Sequence, residues 1–162
     1  LRTACFNSIW GSDADNIRVL RPWMNEFKRV DKDNYCHLDT QMIKVYNAKT
    51  KFEENREVYF RSFISPGPSR RLSTSLLPYV SLVKSNTIGK HPSSLFMAIG
   101  QDIKNELIIL AYGNVMTNNE NAEESWRWFL NHCRVALPFM NDSIDPCVIM
   151  MREVMFDLYI HY

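Results

Sequence analysis

Two short apolar runs near the middle of the chain limit the fold more than any other feature. They are Leu95–Gly100 and Leu107–Met116, and the polar, turn-like segment Gln101–Glu106 separates them. A short continuous apolar run is typical of a buried strand. The sequence therefore predicts a β-hairpin at this point.

The elements on either side of this hairpin are predicted from shorter-range signals. Leu76–Lys84 contains the closely spaced aliphatic residues Val80, Leu82 and Val83 and predicts a first strand. After the hairpin, Asn121 is followed three positions later by Glu124, which is a helix-start signature. The helix that follows is expected to end before Pro138, because a proline disfavours helical backbone in the residue before it.

The last part of the chain predicts one more strand, Cys147–Met151, and a final helix, Arg152–Tyr162. The order of the back part is then β-β-β-α-β-α. A crossover through the helix is right-handed, which places the fourth strand parallel beside the first. This order is what an RNase H-like core requires, and other mixed α/β folds share it. We therefore predict an α/β (α+β) fold with a mixed sheet.

The front part shows weaker patterns. Apolar residues recur at helical intervals up to Arg29, and Pro22 favours a helix that begins near Arg21. Tyr35–Val45 alternates loosely, and Glu57–Ile64 fits a strand or a short helix. The front part is therefore predicted to be a mainly helical lead-in.

The segment Ser65–Ser69, which reads Ser-Pro-Gly-Pro-Ser, predicts a break between the two parts. We place the lead-in at residues 1–75 and the core at residues 76–162. The two parts together fall within the usual size range of one domain.

Composition narrows the classes of function. The 162 residues are 46% hydrophobic and 23% charged, which is typical of a globular chain. Nineteen basic and eighteen acidic residues give a net charge of +1, without the basic excess that a dedicated nucleic-acid binder usually carries. The longest apolar stretches fall far short of a membrane span. The four cysteines form no CxxC pair, and no phosphate-binding glycine motif is present, so no metal and no cofactor is predicted.

Four segments carry a family resemblance by their order and spacing. Phe60–Gly67 reads FRSFISPG, Leu95–Asp102 reads LFMAIGQD, Asn105–Tyr112 reads NELIILAY, and Glu120–Leu130 reads ENAEESWRWFL. Together they resemble the transposase domain of Mutator-like elements. The resemblance implies an RNase H-like core, in which carboxylates of the family hold two divalent metals at the DNA phosphate.

The same resemblance implies that this chain is not an enzyme. The family's first catalytic aspartate falls on Val83, and the second falls on Met151, beside a retained Arg152. Valine and methionine do not bind magnesium, which takes oxygen ligands. The third carboxylate and the family's Cys/His motif would lie beyond Tyr162, so the C-terminal part of the family core is expected to be missing. No catalytic residue and no bound metal are predicted.

Two sets of residues are candidates for contact with a partner. Six cations are candidates for residual contact with DNA phosphates, namely Arg56, Arg61, Arg70, Arg71, Lys84 and Lys90. An ordinary solvated surface is the alternative, since Glu53, Glu54 and Glu57 lie beside the first of them.

The aromatic group on the predicted helix supplies the second candidate. Trp126 and Phe129 share one helical face and are expected in the core, while Trp128 projects elsewhere and is expected to be partly exposed. An exposed tryptophan is a plausible anchor for a protein partner, because tryptophan is enriched in binding hot spots.

The sequence thus predicts an inactive, transposase-derived domain that works as a protein–protein interaction module. Related domesticated transposases include plant transcription regulators of the far-red light pathway, which would make the protein nuclear. The first alternative is a DNA-binding module that keeps phosphate contacts, and a lesser one is a secreted effector acting on a host protein. The missing end of the core would leave an exposed sheet edge, so self-association or an obligate partner is also predicted.

Overall fold

The computed structural model of the protein describes residues 13–47, 51–88, 92–116, 121–141, 148–153 and 158–159. Within these residues the fold is mixed α+β, with one mostly antiparallel sheet and three α-helices. No helix in these ranges is long and apolar enough to cross a membrane.

The helices are α1 (Asp13–Val30), α2 (Gly67–Leu72) and α3 (Ala122–Ala136). Short 3₁₀ turns follow the last two, at Ser73–Ser75 and Pro138–Asn141. α1 begins well before Arg21, the start that the sequence predicted, and contains Pro22 in its interior. The proline removes one hydrogen bond of the helix without ending it here.

The strands are β1 (Tyr35–Asn47), β2 (Phe52–Ser65), β3 (Tyr79–Ile88), β4 (Ser93–Gln101), β5 (Leu107–Met116), β6 (Val148–Glu153) and β7 (Leu158–Tyr159). They lie in the order β1-β2-β5-β4-β3-β6, and β7 also pairs with β3. β6 and β7 run parallel to β3, whereas the other neighbouring pairs are antiparallel.

The middle of the sheet follows the sequence pattern closely. β4 and β5 form the predicted antiparallel hairpin, and β3 pairs with the other edge of β4. After α3, the chain returns as β6 and lies parallel beside β3, where the sequence placed its fourth strand. Short apolar runs and a capped helix were sufficient signals for these elements.

The predicted final helix over Arg152–Tyr162 is wrong wherever the structure describes it. Residues 152–153 complete β6, and Leu158–Tyr159 form β7; residues 154–157 and 160–162 lie outside the described part. β3 continues to Ile88, past the residues that β6 covers, and β7 pairs with it there at Thr87 and Ile88. Backbone groups of β3 that would need other partners are satisfied in this way.

The prediction of a mainly helical lead-in is also wrong, because β1 and β2 occupy most of residues 35–65. Residues 61–64 of β2 pair with residues 112–115 of β5. The sheet therefore continues from the front part of the chain into the back part. Local patterns carried no sign of this pairing, since it joins segments about fifty residues apart.

Helices cover both faces of the sheet near β2. Phe63 and Ile64 are consecutive in β2 and so point to opposite faces. Phe63 belongs to the main core with Phe129 of α3, while Ile64 packs with Met24 of α1 and Cys36. The β1–β2 hairpin is thereby held between α1 and α3 at its base.

Beyond this base the hairpin projects from the sheet. β2 pairs with β5 only over Arg61–Ile64, and a bulge follows, where Asp39 pairs with Arg61 but Thr40 pairs with Tyr59. The outer residues, Thr40–Asn47 and Phe52–Tyr59, pair only with each other in the described structure. We call these two segments the hairpin arm.

Candidate functional site

The two positions at which the resemblance expects catalytic aspartates lie on neighbouring parallel strands. In the register of β3 with β6, Val83 is opposite Arg152, and Met151 is opposite Leu82. The two positions are therefore offset by one residue along the strands. The next pair in the backbone register is Lys84 with Glu153.

Metal ligands are not gathered elsewhere in the described part of the chain. No group of three or more His, Cys, Asp or Glu residues is arranged there to hold an ion. The free thiols of Cys36 and Cys133 are both buried, and burial raises the pKa of each. They therefore pack as apolar side chains of the two cores.

The prediction that Trp128 is partly exposed is wrong. Only 8% of Trp128 is exposed, and its ring meets the ring of Phe63 edge-on, with centroids 6.3 Å apart. Gly113 of β5 makes room for it, because a Cβ there would lie 3.2 Å from Cζ3 of the indole. The face of α3 that carries Trp128 packs on β1 and β2, whose place in the sheet the sequence did not predict. Trp128 is thus a core residue here and presents no ring to a partner.

A polar cluster joins β1, β2 and α3 beside Trp128. The residues Tyr35, His37 and Asp39 alternate along β1 and so share its α3-facing side. Nε2 of His37 donates to Oδ1 of Asp39 at 2.7 Å, and Nε of Arg61 donates to Oδ2 of the same carboxylate at 2.7 Å. One carboxylate therefore holds an imidazole and a guanidinium from two adjacent strands.

His132 of α3 completes the cluster. Its Nδ1 is 2.8 Å from the hydroxyl of Tyr35, and the centroid of its ring is 4.5 Å from that of His37. Arg61 lies with its guanidinium carbon 4.9 Å from the Trp128 ring centroid, and its Nη1 is 3.7 Å from Oε1 of Glu124. These contacts fix the orientation of α3 on the base of the hairpin.

Burial and charge divide the titrating groups of the cluster. Burial lowers the pKa of His132 to about 4; the neighbouring His37 and Arg61 act in the same direction, and Asp39 acts in the opposite one. Burial alone would raise the pKa of Asp39, but its hydrogen bonds from Arg61 and His37 outweigh that effect and leave it below its ordinary value. At neutral pH the cluster therefore contains a neutral His132 and an ionised Asp39.

Sequence reasoning missed this cluster, although one signal was present. Tyr, His and Asp at alternate positions of a single strand bring three polar groups to one face. The contact of His37 with His132 depends on α3 crossing β1, and no local pattern specifies that crossing.

The predicted cations are held by different neighbours. Arg70 donates from Nε to the carbonyl of Ala136 at 2.6 Å, and it also contacts the carbonyl of Asp33. Arg71 forms ion pairs with the carboxylates of Asp31 and Asp33, at 2.9 and 2.6 Å. Both arginines therefore connect α2 to the turn before β1, and Arg70 also connects it to the end of α3.

The candidate cations lie on different parts of the domain. Arg61 is near the start of α3 and Arg70 near its end, about 18 Å apart along the helix axis. Arg56 is on the hairpin arm, with Nη2 3.7 Å from Oε2 of Glu54. Nζ of Lys84 lies 5.7 Å from the ring centroid of Phe96, and Lys90 lies outside the described residues. The five cations in the described residues are thus distributed over β2, α2 and β3.

The hairpin arm carries several large apolar side chains that are exposed to solvent. Met42 is 62% exposed, Tyr46 63% and Phe52 74%. Charged pairs accompany them, such as Lys44 Nζ and Glu53 Oε2 at 3.7 Å. Exposed apolar groups rimmed by charge are typical of an interaction surface.

Comparisons with known proteins identify no relative. No protein-family model matches the chain. No curated protein and no solved structure matches it either. The function is therefore inferred from the residues and their arrangement.

Proposed function

We propose that this chain is a catalytically inactive, transposase-derived domain that acts as a protein-binding module. The first support is the arrangement of its middle elements. Three antiparallel strands, a helix and a strand parallel to the first of them are the order that an RNase H-like core requires. The motifs that resemble Mutator-like transposases lie on β4, β5 and α3.

The register between β3 and β6 carries the proposal. A two-metal nuclease needs facing carboxylates at the ends of neighbouring strands. On these two strands the facing pairs are Leu82 with Met151 and Val83 with Arg152. Hydrophobic and cationic residues stand where magnesium would need oxygen ligands.

The hydrogen bonds that the arginines already make within the domain favour a protein partner over DNA. Arg61, Arg70 and Arg71 already donate to carboxylates or backbone carbonyls of the domain. A phosphate would have to compete with these partners. The hairpin arm, by contrast, exposes apolar side chains, which suit a protein surface.

The experiment measures binding and cleavage of one labelled DNA duplex. Fluorescence anisotropy at about 50 and 200 mM salt, with and without magnesium, reports phosphate contact through its salt dependence. Gel electrophoresis of the same samples reports cleavage. We expect neither cleavage nor salt-sensitive binding at micromolar protein.

Each contrary result has a distinct meaning. Magnesium-dependent cleavage would overturn the assignment of Val83 and Met151. Micromolar binding that weakens steeply with salt would favour the DNA-binding alternative. In that case Arg56→Ala, which removes an exposed cation, should reduce the salt slope by about one phosphate contact.

A further inference from the structure

The hairpin arm lacks the support that the rest of the sheet has. Its outer eight pairs, from Thr40 opposite Tyr59 to Asn47 opposite Phe52, have no third strand beside them in the described residues. An isolated two-stranded hairpin is marginally stable in water, and a third strand or a covering surface is needed. The arm is therefore a surface that gains stability from a partner.

The two edges of the arm differ in charge. Between Phe52 and Tyr59 the β2 edge carries four ionised residues, Glu53, Glu54, Arg56 and Glu57. Between Thr40 and Asn47 the β1 edge carries only Lys44. Charged side chains are a usual protection of an edge strand against pairing. The β1 edge lacks this protection, and β1 is one of the two end strands of the described sheet.

On one of its two faces, the polarity of β1 is symmetric about Met42. On the α1-facing side of the strand the residues run Leu38, Thr40, Met42, Lys44 and Tyr46. The pattern is apolar, polar, apolar, polar, apolar, so it reads the same in both directions. A second copy of this strand, run antiparallel about Met42, would place apolar residues opposite apolar ones.

We propose that β1 is a self-association edge, which pairs antiparallel with β1 of a second copy of this chain about a two-fold axis at Met42. Met42 then lies opposite its own copy, Leu38 opposite Tyr46, and Thr40 opposite Lys44. The single cation of the arm edge meets a hydroxyl and never another cation. A two-fold axis perpendicular to the sheet keeps equivalent faces together, as isologous pairing requires.

This inference deepens the proposed binding function, on which it rests, by naming the occupant. Pairing of the two arms gives a four-stranded ribbon, in which each two-stranded arm gains β1 of the other copy as a third strand. The exposed side chains of Met42 and Tyr46 then pack across the axis and lose contact with water.

The test is the molar mass of the full chain between about 1 and 100 μM, by sedimentation velocity or light scattering. We expect a dimer for the wild type. Met42→Lys and Met42→Glu each place like charges opposite one another at the axis and should weaken dimerisation at least tenfold. An equimolar mixture of the two variants should restore the dimer, because opposite charges then meet.

The mixing step separates self-pairing from general stickiness. Ile103→Lys is the matched control, because Ile103 is 80% exposed in the turn between β4 and β5 and lies off the edge. It should leave the dimer unchanged. Circular dichroism of every variant checks that the fold is intact, and substitutions at side chains this exposed usually change stability little.

A second measurement does not depend on charge. Met42→Cys should form an intermolecular disulfide under mild oxidation, because opposite Cα atoms in an antiparallel pair lie about 5 Å apart. Lys44→Cys should not, because position 44 and its copy are about 13 Å apart along the strands. The wild type under the same oxidation gives the background from the natural cysteines.

The outcomes distinguish this inference from the proposed function. A wild type that stays monomeric at about 100 μM overturns self-association and leaves the nuclease and DNA results unaffected. A dimer that persists in both charge variants, or that the mixture fails to restore, overturns the Met42 axis. Magnesium-dependent cleavage by an intact dimer would overturn the proposed function alone.

Discussion

The imidazoles of His37 and His132 are in ring contact, with centroids 4.5 Å apart and planes inclined by 32°. His37 is on β1, and His132 is on α3, ninety-five residues later. Asp39 accepts a hydrogen bond from the first ring, and Tyr35 bonds to the second. A positive charge on His132 is disfavoured first by burial and then by the neighbouring His37 and Arg61.

Stability should therefore fall as the solution is acidified. The pKa of His132 is lowered by burial from 6.5 to about 4, so the unfolded chain binds this proton first. The contribution is complete above about pH 6.5 and is lost as the pH falls towards 4. We expect a loss of about 1–2 kcal/mol in the free energy of unfolding, after allowance for partial exposure. Urea unfolding at pH 7.5, 6.5, 5.5 and 4.5 measures it.

His132→Asn is the variant that isolates this effect. Asparagine keeps an acceptor for the Tyr35 hydroxyl and does not titrate. Its stability should vary less with pH than that of the wild type over the same interval. The pKa of Asp39 is lowered below 3.8, so its contribution is lost at more acidic pH and does not interfere. Parallel curves for the two proteins would contradict the assignment to His132.

Replacement of Arg61 should destabilise the domain far more than replacement of Arg56. Arg61 has 16% of its side chain exposed and holds Asp39, whereas Arg56 is 57% exposed and has only a 3.7 Å ion pair. Arg61→Met leaves the half-buried carboxylate of Asp39 with His37 as its remaining partner, and we expect a loss of about 1–3 kcal/mol. Arg56→Ala should cost less than about 0.5 kcal/mol. Thermal unfolding of both variants compares them, and equal effects would contradict the structural role of Arg61.

The elements that the sequence predicted well are those with short-range signals. The apolar runs of β4 and β5 are separated by a six-residue turn segment, and α3 has a capping residue at one end and Pro138 near the other. Each of these signals acts within a few residues. These elements could therefore be predicted without knowing how the rest of the chain folds.

The elements that were missed depend on distant partners. Glu57–Ile64 fitted either a strand or a short helix, and its pairing with β5 at residues 112–115 decides the matter. The same pairing places the Trp128 side of α3 against β1 and β2. The buried position of Trp128 follows from that contact, so an error in the front part of the fold became an error in the candidate site.

The predicted basic surface stays a prediction, because sequence spacing does not reveal which side chains already hold its cations. Cations that are close in sequence were counted as one group, but side-chain partners decide whether they are available. Arg71 bonds to Asp31 and Asp33, forty and thirty-eight residues earlier in the chain. Sequence spacing gives no indication of such partners.

A methyl group at Gly113 should be poorly tolerated. A Cβ there would lie 2.8 Å from Cδ2 of Phe129 and 3.2 Å from Cζ3 of Trp128, and both rings are packed between sheet and helix. We expect Gly113→Ala to lower the free energy of unfolding by about 1–3 kcal/mol. Gly100→Ala is the comparison, because its Cβ would come within 2.5 Å of the end of the half-buried Leu76 side chain, which can move, and 3.1 Å from Cδ1 of the buried Leu110. Thermal unfolding should show the larger loss for Gly113→Ala, and the reverse order would contradict the tight packing of α3.

The start of α3 offers a test of the cap that the sequence predicted. Oδ1 of Asn121 accepts a hydrogen bond from the backbone N–H of Glu123 at 3.1 Å. Asn121→Ala leaves that N–H without its side-chain acceptor, and we expect a loss of about 1 kcal/mol. Asn121→Asp keeps an acceptor and adds a negative charge at the helix N-terminus, so it should be neutral or slightly stabilising.

The control for Asn121 lies on the same helix. Asn131→Ala changes an exposed residue in the interior of α3, where alanine is the better helix former, and it should stabilise slightly. Urea unfolding followed by circular dichroism compares the three variants. Equal losses for Asn121→Ala and Asn131→Ala would show that the cap makes no separate contribution. A loss confined to Asn121→Ala would show that the hydrogen bond to Glu123 helps to hold the start of the helix whose other end Arg70 secures.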